Sequence, residues 1–482
     1  MADLNRRTVL RGAAAAALVG GPFAGFVARS ASAATTADAP ARALRPVPDL
    51  RDGVVRLHLP EGFQYRSFHD NTAQSVVLDD GTVLPGRHDG MAAFPGPDDT
   101  VRLVRNHEVN GPGAPFGPGT PYDSMARGGT TTIEVTEYGE VRHAYTSLNG
   151  TQNNCNGGPM PWGSWISCEE TVNGPDVGAD FTGVPNVSLT QPHGFIFDVP
   201  ADGQSDRQPV TAAGRFSHES VAFDPEEGVL YLTEDDFGFA SGFYRYLPPE
   251  HPMKAGKLLD GGRLQMLAVQ GTPNANLAAA QPERASYRVQ WVDIDDPAPS
   301  FPYTPGEPAP TSNNDALSYV ARQGWEQGAA YFSRLEGSAY DGGVVYFTAT
   351  QGGGPAEVGT GPIADGYGNG SGQVWAYHIR GSLLQLVYES PGPDVLDLPD
   401  NVTTSARGTI VVCEDGTNDN YIRALSRGGD LSNIALNRLP GRFNEEFAGA
   451  TFSPGGHTLF VNIQASTAMS FAIWGPWATI GV

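Results

Sequence analysis

One local pattern recurs six times along the 482-residue chain, and an internal repeat constrains architecture more tightly than any single motif. Each copy carries a polar residue, small residues, a turn or aromatic, and then a hydrophobic strand that often ends in a carboxylate. Three copies read His88-Asp89-Gly90-Met91 leading into residues 101–108, Asn156-Gly157-Gly158 into Trp165-Ile166-Ser167-Cys168-Glu169, and His218-Glu219-Ser220 into Val229-Leu230-Tyr231-Leu232-Thr233-Glu234. The others are Leu335-Glu336-Gly337 into residues 344–350, Pro399-Asp400-Asn401 into Thr409-Ile410-Val411-Val412-Cys413-Glu414, and Ala448-Gly449-Ala450 into residues 458–464.

Short β-branched and aromatic runs, punctuated by 61 glycines and 39 prolines, predict an all-β chain. The repeat makes that chain a six-bladed β-propeller with loop insertions and little helix, because radial blades place equivalent residues of every copy around one axis. Six units of about 75 residues exceed the compact propeller repeats, so the loops must carry insertions. The largest is the proline-rich stretch 270–314, expected as a surface excursion or lid ending in the one clear helix, 315–332. Residues 34–482 then form a single domain.

In a propeller, Asp89, Asn156, Glu219, Glu336 and Asp400 would converge as a ring of oxygens at one mouth, with Ala448 leaving a gap. Asp and Asn also populate ordinary turns for local hydrogen-bonding reasons. Glutamate is a poor turn former, and Glu219 and Glu336 share that register. A second acidic set follows the strands: Glu169 with Glu170, Glu234 with Asp235 and Asp236, and Glu414 with Asp415. Crowded carboxylates repel one another and protonate unless cations neutralise them. Calcium, which takes six to eight hard oxygens in tolerant geometry, suits such a ring. A thiolate beside those oxygens asks for a softer ion such as iron, and Cys168 is the preferred thiol over Cys413. No histidine cluster or Cys-x-x-Cys spacing favours zinc.

The first residues read as an address. Asn5-Arg6-Arg7-Thr8-Val9-Leu10-Arg11 opens onto a short alanine- and glycine-rich run ending at Ala31-Ser32-Ala33, the pattern of a twin-arginine export signal spanning 1–33. The apolar run is too short for a membrane span, so a secreted or periplasmic protein without a stable anchor is expected, with the twin-arginine machinery as its transit partner. Removing four arginines and one aspartate takes the formal charge from −23 to −26, which excludes a broad basic face for nucleic acid. Three cysteines cannot all pair; Cys155 and Cys168 could bridge, leaving Cys413 buried.

Residue order in several of these motifs resembles one family. His88-Asp89-Gly90-Met91, Asn154-Cys155-Asn156-Gly157-Gly158, Trp162-Gly163-Ser164-Trp165 into Cys168-Glu169-Glu170, Arg215-Phe216-Ser217-His218-Glu219 and Arg334-Leu335-Glu336-Gly337 are similar to PhoX-type alkaline phosphatases. The resemblance runs from about His88 to Gln464. It implies a six-bladed propeller holding two iron(III) and three calcium ions, and hydrolysis of small phosphate esters, in which cations spread the charge of the transferring phosphoryl group. It also implies Cys168, Glu219 and Glu336 on the metal cluster and Arg334 against the substrate phosphate. Asp89, Asn156, Glu169, Glu234, Asp235, Asp400, Glu414 and Asp415 are the further candidate ligands. The chain departs from its own pattern at Ala349-Thr350-Gln351, where sister strands carry acids.

Two rivals stay open. The Asn156, Glu219, Glu336 and Asp400 set also looks like the oxygen ring of calcium-dependent propeller lactonases and phosphotriesterases. Alternatively, the acids hold a structural calcium in a non-catalytic binding propeller. A monomer is expected in each case.

Overall fold

Each of the six recurring motifs folds as the first, innermost strand of an antiparallel meander. The inner strands are His88–Pro95, Asn154–Met160, His218–Asp224, Leu335–Asp341, Pro399–Thr404 and Phe447–Phe452. They pack side by side in chain order, and the sixth returns to contact the first, so they close a ring. This computed structural model describes residues 43–482 except 73, 237, 238, 240 and 356–367. The expected export signal at 1–33 therefore lies outside the described residues. Among those described, no helix is long and apolar enough to cross a membrane.

The second strands are apolar without alternation because both of their faces are covered. Ser164–Glu169, Val229–Glu234, Ile410–Glu414 and Thr458–Ile463 are buried at every position. Aromatic side chains fill the gaps between neighbouring meanders, as where Phe243 stacks on Phe347 with ring centroids 4.3 Å apart. Such a pair contributes about 0.5–1.5 kcal/mol beyond its buried area.

The architecture is all-β and propeller-like, but the hydrogen-bonded sheets number five among the described residues. Strand Ser286–Asp293, inside the proline-rich segment, pairs with Arg263–Val269 on one side and Leu383–Glu389 on the other. It fuses the third and fourth meanders into one nine-stranded sheet. Prolines elsewhere in the segment hide it, because a strand of eight residues between them gives no distinct sequence signal. The helix expected over 315–332 is two shorter ones, Asn313–Leu317 and Tyr319–Glu326, with the Ser312 hydroxyl accepting from the Asp315 amide at 3.1 Å.

Two pieces of the early chain complete late sheets. Val55–Leu59 adds to the outer edge of the fifth meander, and Gln64–Phe68 pairs with Met469–Trp474 as the fourth strand of the last. That pairing ties the two ends of the ring together.

All six inner strands break register at the same place. Between His88 and Met91, Asn154 and Gly157, His218 and Val221, Leu335 and Ser338, Pro399 and Val402, and Ala448 and Thr451, two residues oppose one on the second strand. These are β-bulges, which bend a strand and re-aim its side chains. The first residues of the bulges are Asp89, Cys155, Glu219, Glu336, Asp400 and Gly449.

Candidate metal centre

The first bulge residues point into one cavity of about 240 Å³, lined by Asp89, Cys155, Glu219, Glu336 and Asp400. A second tier comes from the residues that follow the second strands. Glu108, Glu170 and Asp415 line the same cavity, and Asp235 lies beside Glu170 and Glu336. The fourth meander has Thr350 at this position. Glu445, Glu446 and Gln464 complete the wall where the sixth bulge offers only Gly449.

Four sets of donors come within 4.8 Å of one another: Cys155, Glu170 and Glu219; Glu170, Asp235 and Glu336; Glu219, Glu336 and Asp400; and Asp400, Asp415 and Glu446. The sets share members, so they form one continuous cluster rather than separate sites. Its electrostatics follow from crowding. Burial, with Glu170 and Glu336 beside it, pushes Glu219 well above the usual carboxylate range. Burial and the neighbouring Asp235 and Asp400 do the same to Glu336, and burial with Glu108 and Asp400 to Asp89. Asp400 is pushed up to about 7 by burial and Asp415, and burial next to Glu219 raises the Cys155 thiol.

Guanidinium groups sit among these acids. Arg334 donates Nε to Asp235 Oδ1 at 2.9 Å and Nη2 to Asp235 Oδ2 at 2.8 Å, and reaches Glu336 Oε1 at 2.9 Å. Arg87 donates to Glu108 Oε2 at 2.6 Å. Both arginines immediately precede an inner strand, and both adopt left-handed backbone conformations, with φ of +52° and +49°. Non-glycine residues held there cost about 1–3 kcal/mol each and cluster where the surrounding structure over-determines them. Arg442, on the loop before the sixth inner strand, also lines the cavity.

The structure brings Asp89, Glu219, Asp235, Arg334, Glu336, Asp400 and Asp415 together, but not the remaining candidates. Cys168 lies opposite the second bulge, fully buried among Ile166, Ile196 and Val221. Cys413 occupies the matching place opposite the fifth. The thiol in the cavity belongs to Cys155, and all three cysteines are free, so no Cys155–Cys168 bridge forms. Asn156 is the second residue of its bulge and faces a different cavity, about 260 Å³, further along the inner strands.

Glu169, Glu234 and Glu414 end equivalent second strands and turn away from the axis. Glu169 accepts from the amides of Gln152, Gly194 and Phe195. Glu234 accepts from Gly242 N and the Tyr244 hydroxyl, and Glu414 from Tyr421 N, Asp397 N and Arg423. Each ties the loops of its own sheet together. The next residue along, displaced to the opposite side by strand alternation, is the one that enters the cavity.

Sequence reasoning left out Glu108, Glu446 and Arg87, left the role of Cys155 open, and named Glu170 in the second acidic set without choosing it as a ligand. The recurring bulge is the signal that finds Cys155, since it sits one residue before Asn156 in the same register as Asp89 and Glu219.

The sequence profile of the family Alkaline phosphatase PhoX matches residues 43–147 and 139–467. No curated protein matches the chain. Among solved structures, Pseudomonas fluorescens PhoX in complex with vanadate, a transition-state analogue, superimposes with a TM-score of 0.62 at 16% identity, covering 91% of this chain and 98% of that one. Virginiamycin B lyase from Staphylococcus aureus with quinupristin gives 0.38 at 10% identity, over 85% of this chain and 99% of that one. A gluconolactonase from Xanthomonas campestris gives 0.38 at 14%, over 89% and 97%. The first of these shares the fold, and the profile match spans nearly all of the described residues: the chain belongs to the PhoX family of alkaline phosphatases.

Proposed function

We propose that the acidic cavity is the active site of a six-bladed propeller that binds calcium and iron and hydrolyses phosphate monoesters, releasing inorganic phosphate. One observation carries this reading: four bulge carboxylates, three second-tier acids and a thiol from successive meanders line one space of about 240 Å³, with Asp235 against Glu170 and Glu336. So many acids ionise together only when cations neutralise them.

The donor set fits the two ions. Glu219, Glu336 and Asp400, and Asp400, Asp415 and Glu446, offer hard oxygens alone, which suits calcium. Cys155 with Glu170 and Glu219 offers one soft sulfur beside oxygens, which suits iron. Cys155 thus takes the place that sequence reasoning gave to Cys168. When bound, the cations supply Lewis acidity for a phosphoryl group in transfer. Arg334 is held ready by Asp235 and would turn its planar fork to two phosphate oxygens. Arg87 and Arg442 hold positive charge at the rim, where an anionic ester enters. The narrow, acid-lined space admits a small phosphate ester.

This reading includes export of a monomer, residues 34–482, after removal of the twin-arginine signal 1–33. Metal analysis of the exported protein, beside p-nitrophenyl phosphate hydrolysis with and without calcium chelation, tests the proposal. Iron and calcium together with calcium-dependent turnover support it. Calcium alone without phosphomonoesterase activity rejects it in favour of a lactonase or a binding propeller.

A further inference from the structure

We propose that latches between neighbouring meanders aim the cavity's acids, and that Thr233 and Thr348 are positioning residues for the carboxylates of Glu336 and Asp400. The inference rests on the metal-dependent function proposed above.

A bulge interrupts the ladder and leaves main-chain groups that a buried strand must satisfy by other means. In this fold the partner comes from the adjacent meander each time. Thr233 Oγ1 donates to the Glu336 carbonyl at 2.5 Å, and Thr348 Oγ1 donates to the Asp400 carbonyl at 2.7 Å. Asn106 Nδ2 donates to the carbonyls of Asn156 at 2.7 Å and Cys155 at 3.2 Å. Asn462 Nδ2 donates to the Asp89 carbonyl at 2.6 Å, across the joint where the ring closes. The two remaining joints differ: Gly449 N donates to Asn401 Oδ1, and the Cys155 sulfur, 3.2 Å from the His218 carbonyl oxygen and 3.6 Å from that of Glu219, makes a packing contact there and donates no hydrogen bond when it binds a metal.

Asn106, Thr233 and Thr348 occupy the same place, the single residue opposite each bulge. That repetition makes the latch a property of the repeat. The Thr233, Thr348 and Asn462 latches grip the carbonyls of Glu336, Asp400 and Asp89, residues whose carboxylates enter the cavity, so each fixes a peptide plane and with it the direction of the Cα–Cβ bond. Thr233 and Thr348 have no exposed surface, and water cannot stand in for their hydroxyls without rearrangement. Because each donor belongs to one meander and each carboxylate to the next, the spacing between ligands is set by contacts between meanders.

Thr348→Val removes the hydroxyl at nearly constant shape, and Thr348→Ser retains it. Each variant is chelated, then titrated calorimetrically with calcium chloride, and p-nitrophenyl phosphate kinetics are measured on the natively loaded protein. The valine variant is expected to need about tenfold more calcium for half-saturation, the scale on which partners of metal ligands act, with kcat reduced and KM little changed. Thr348→Ser restores both values, which a packing role for the methyl group would not produce. Thr233→Val repeats the test at a second joint, and Thr348→Ala, which leaves room for water, replaces Thr348→Val if that variant does not fold. Calcium binding by Thr348→Val equal to wild type, or failure of serine to rescue it, overturns the latch alone. A wild-type protein that binds no calcium and cleaves no ester overturns the latch and the functional reading together.

Discussion

Arg334 and Asp235 meet through two parallel hydrogen bonds, although they belong to different meanders and are 99 residues apart. The pair holds a planar fork at the edge of the cavity, and its geometry is the one a phosphate would also accept. Lysine keeps the charge but cannot form the fork. Arg334→Lys is expected to lower kcat/KM by roughly ten- to a hundredfold, equivalent to about 1.5–3 kcal/mol for a hydrogen bond to a charged group. Steady-state kinetics with p-nitrophenyl phosphate provide the check, and a variant within twofold of wild type would exclude a role for Arg334 at the phosphate.

The two cysteines of the second meander should separate in their effects. Cys155→Ser is expected to lose iron and turnover while keeping its melting temperature after chelation. Cys168→Ser places a hydroxyl in an apolar core and should cost about 1–3 kcal/mol of stability with metal content unchanged. Elemental analysis paired with thermal melts separates the two. The reverse pattern would return the ligand role to Cys168.

His193 supplies a pH-dependent brace outside the cavity. Its Nδ1 lies 2.5 Å from Glu169 Oε1 and its Nε2 3.4 Å from Asp123 Oδ2, with no exposure of the three side chains. Burial opposes its charge, but the two carboxylates outweigh burial and hold its pKa up at about 9. A raised folded-state pKa gives stability that is complete below the ordinary histidine value of 6.5 and is lost as pH rises through about 9. The contribution is about 3 kcal/mol at most. Melting temperature is expected to fall between pH 7 and 10, with a shallower fall in His193→Gln; equal slopes would remove His193 as the cause.

Chelation should destabilise the protein more at pH 8 than at pH 6. In the metal-free cavity, burial and neighbouring acids raise the pKa values of Asp89, Glu219, Glu336 and Asp400, so the folded state holds protons that the unfolded chain has released. Stability therefore drops as pH climbs past the ordinary carboxylate range and through about 7, where Asp400 titrates. Melts of chelated protein across that interval measure the slope, and calcium should flatten it. A flat profile without metal would mean that the acids do not repel one another as their placement implies.

The sixfold repeat and its acids were legible because each copy keeps its chemistry at nearly the same register. What stayed hidden is one residue of phase. A bulge adds a residue without a composition signal of its own, so Asn156 looked equivalent to Asp89 when Cys155 is. The same ambiguity affects Glu169 and Glu170: adjacent strand residues face opposite sides, and sequence alone does not say which side holds the axis. Strand Ser286–Asp293 and the Gln64–Phe68 closure depend on partners about a hundred and about four hundred residues away, beyond any local pattern.

The Gln64–Phe68 strand also sets an order of events in synthesis. It leaves the ribosome about four hundred residues before its partner Met469–Trp474. The Asp89 wall of the cavity gains its Gln464 contact, 2.6 Å long, from the residue that follows strand Thr458–Ile463, just ahead of that segment. Until Met469–Trp474 has been made, the circle stays open at this joint. The centre is therefore completed only after that segment is made, and a ribosome stalled before it would release a chain with most of its ligands and no closed chamber to hold them in.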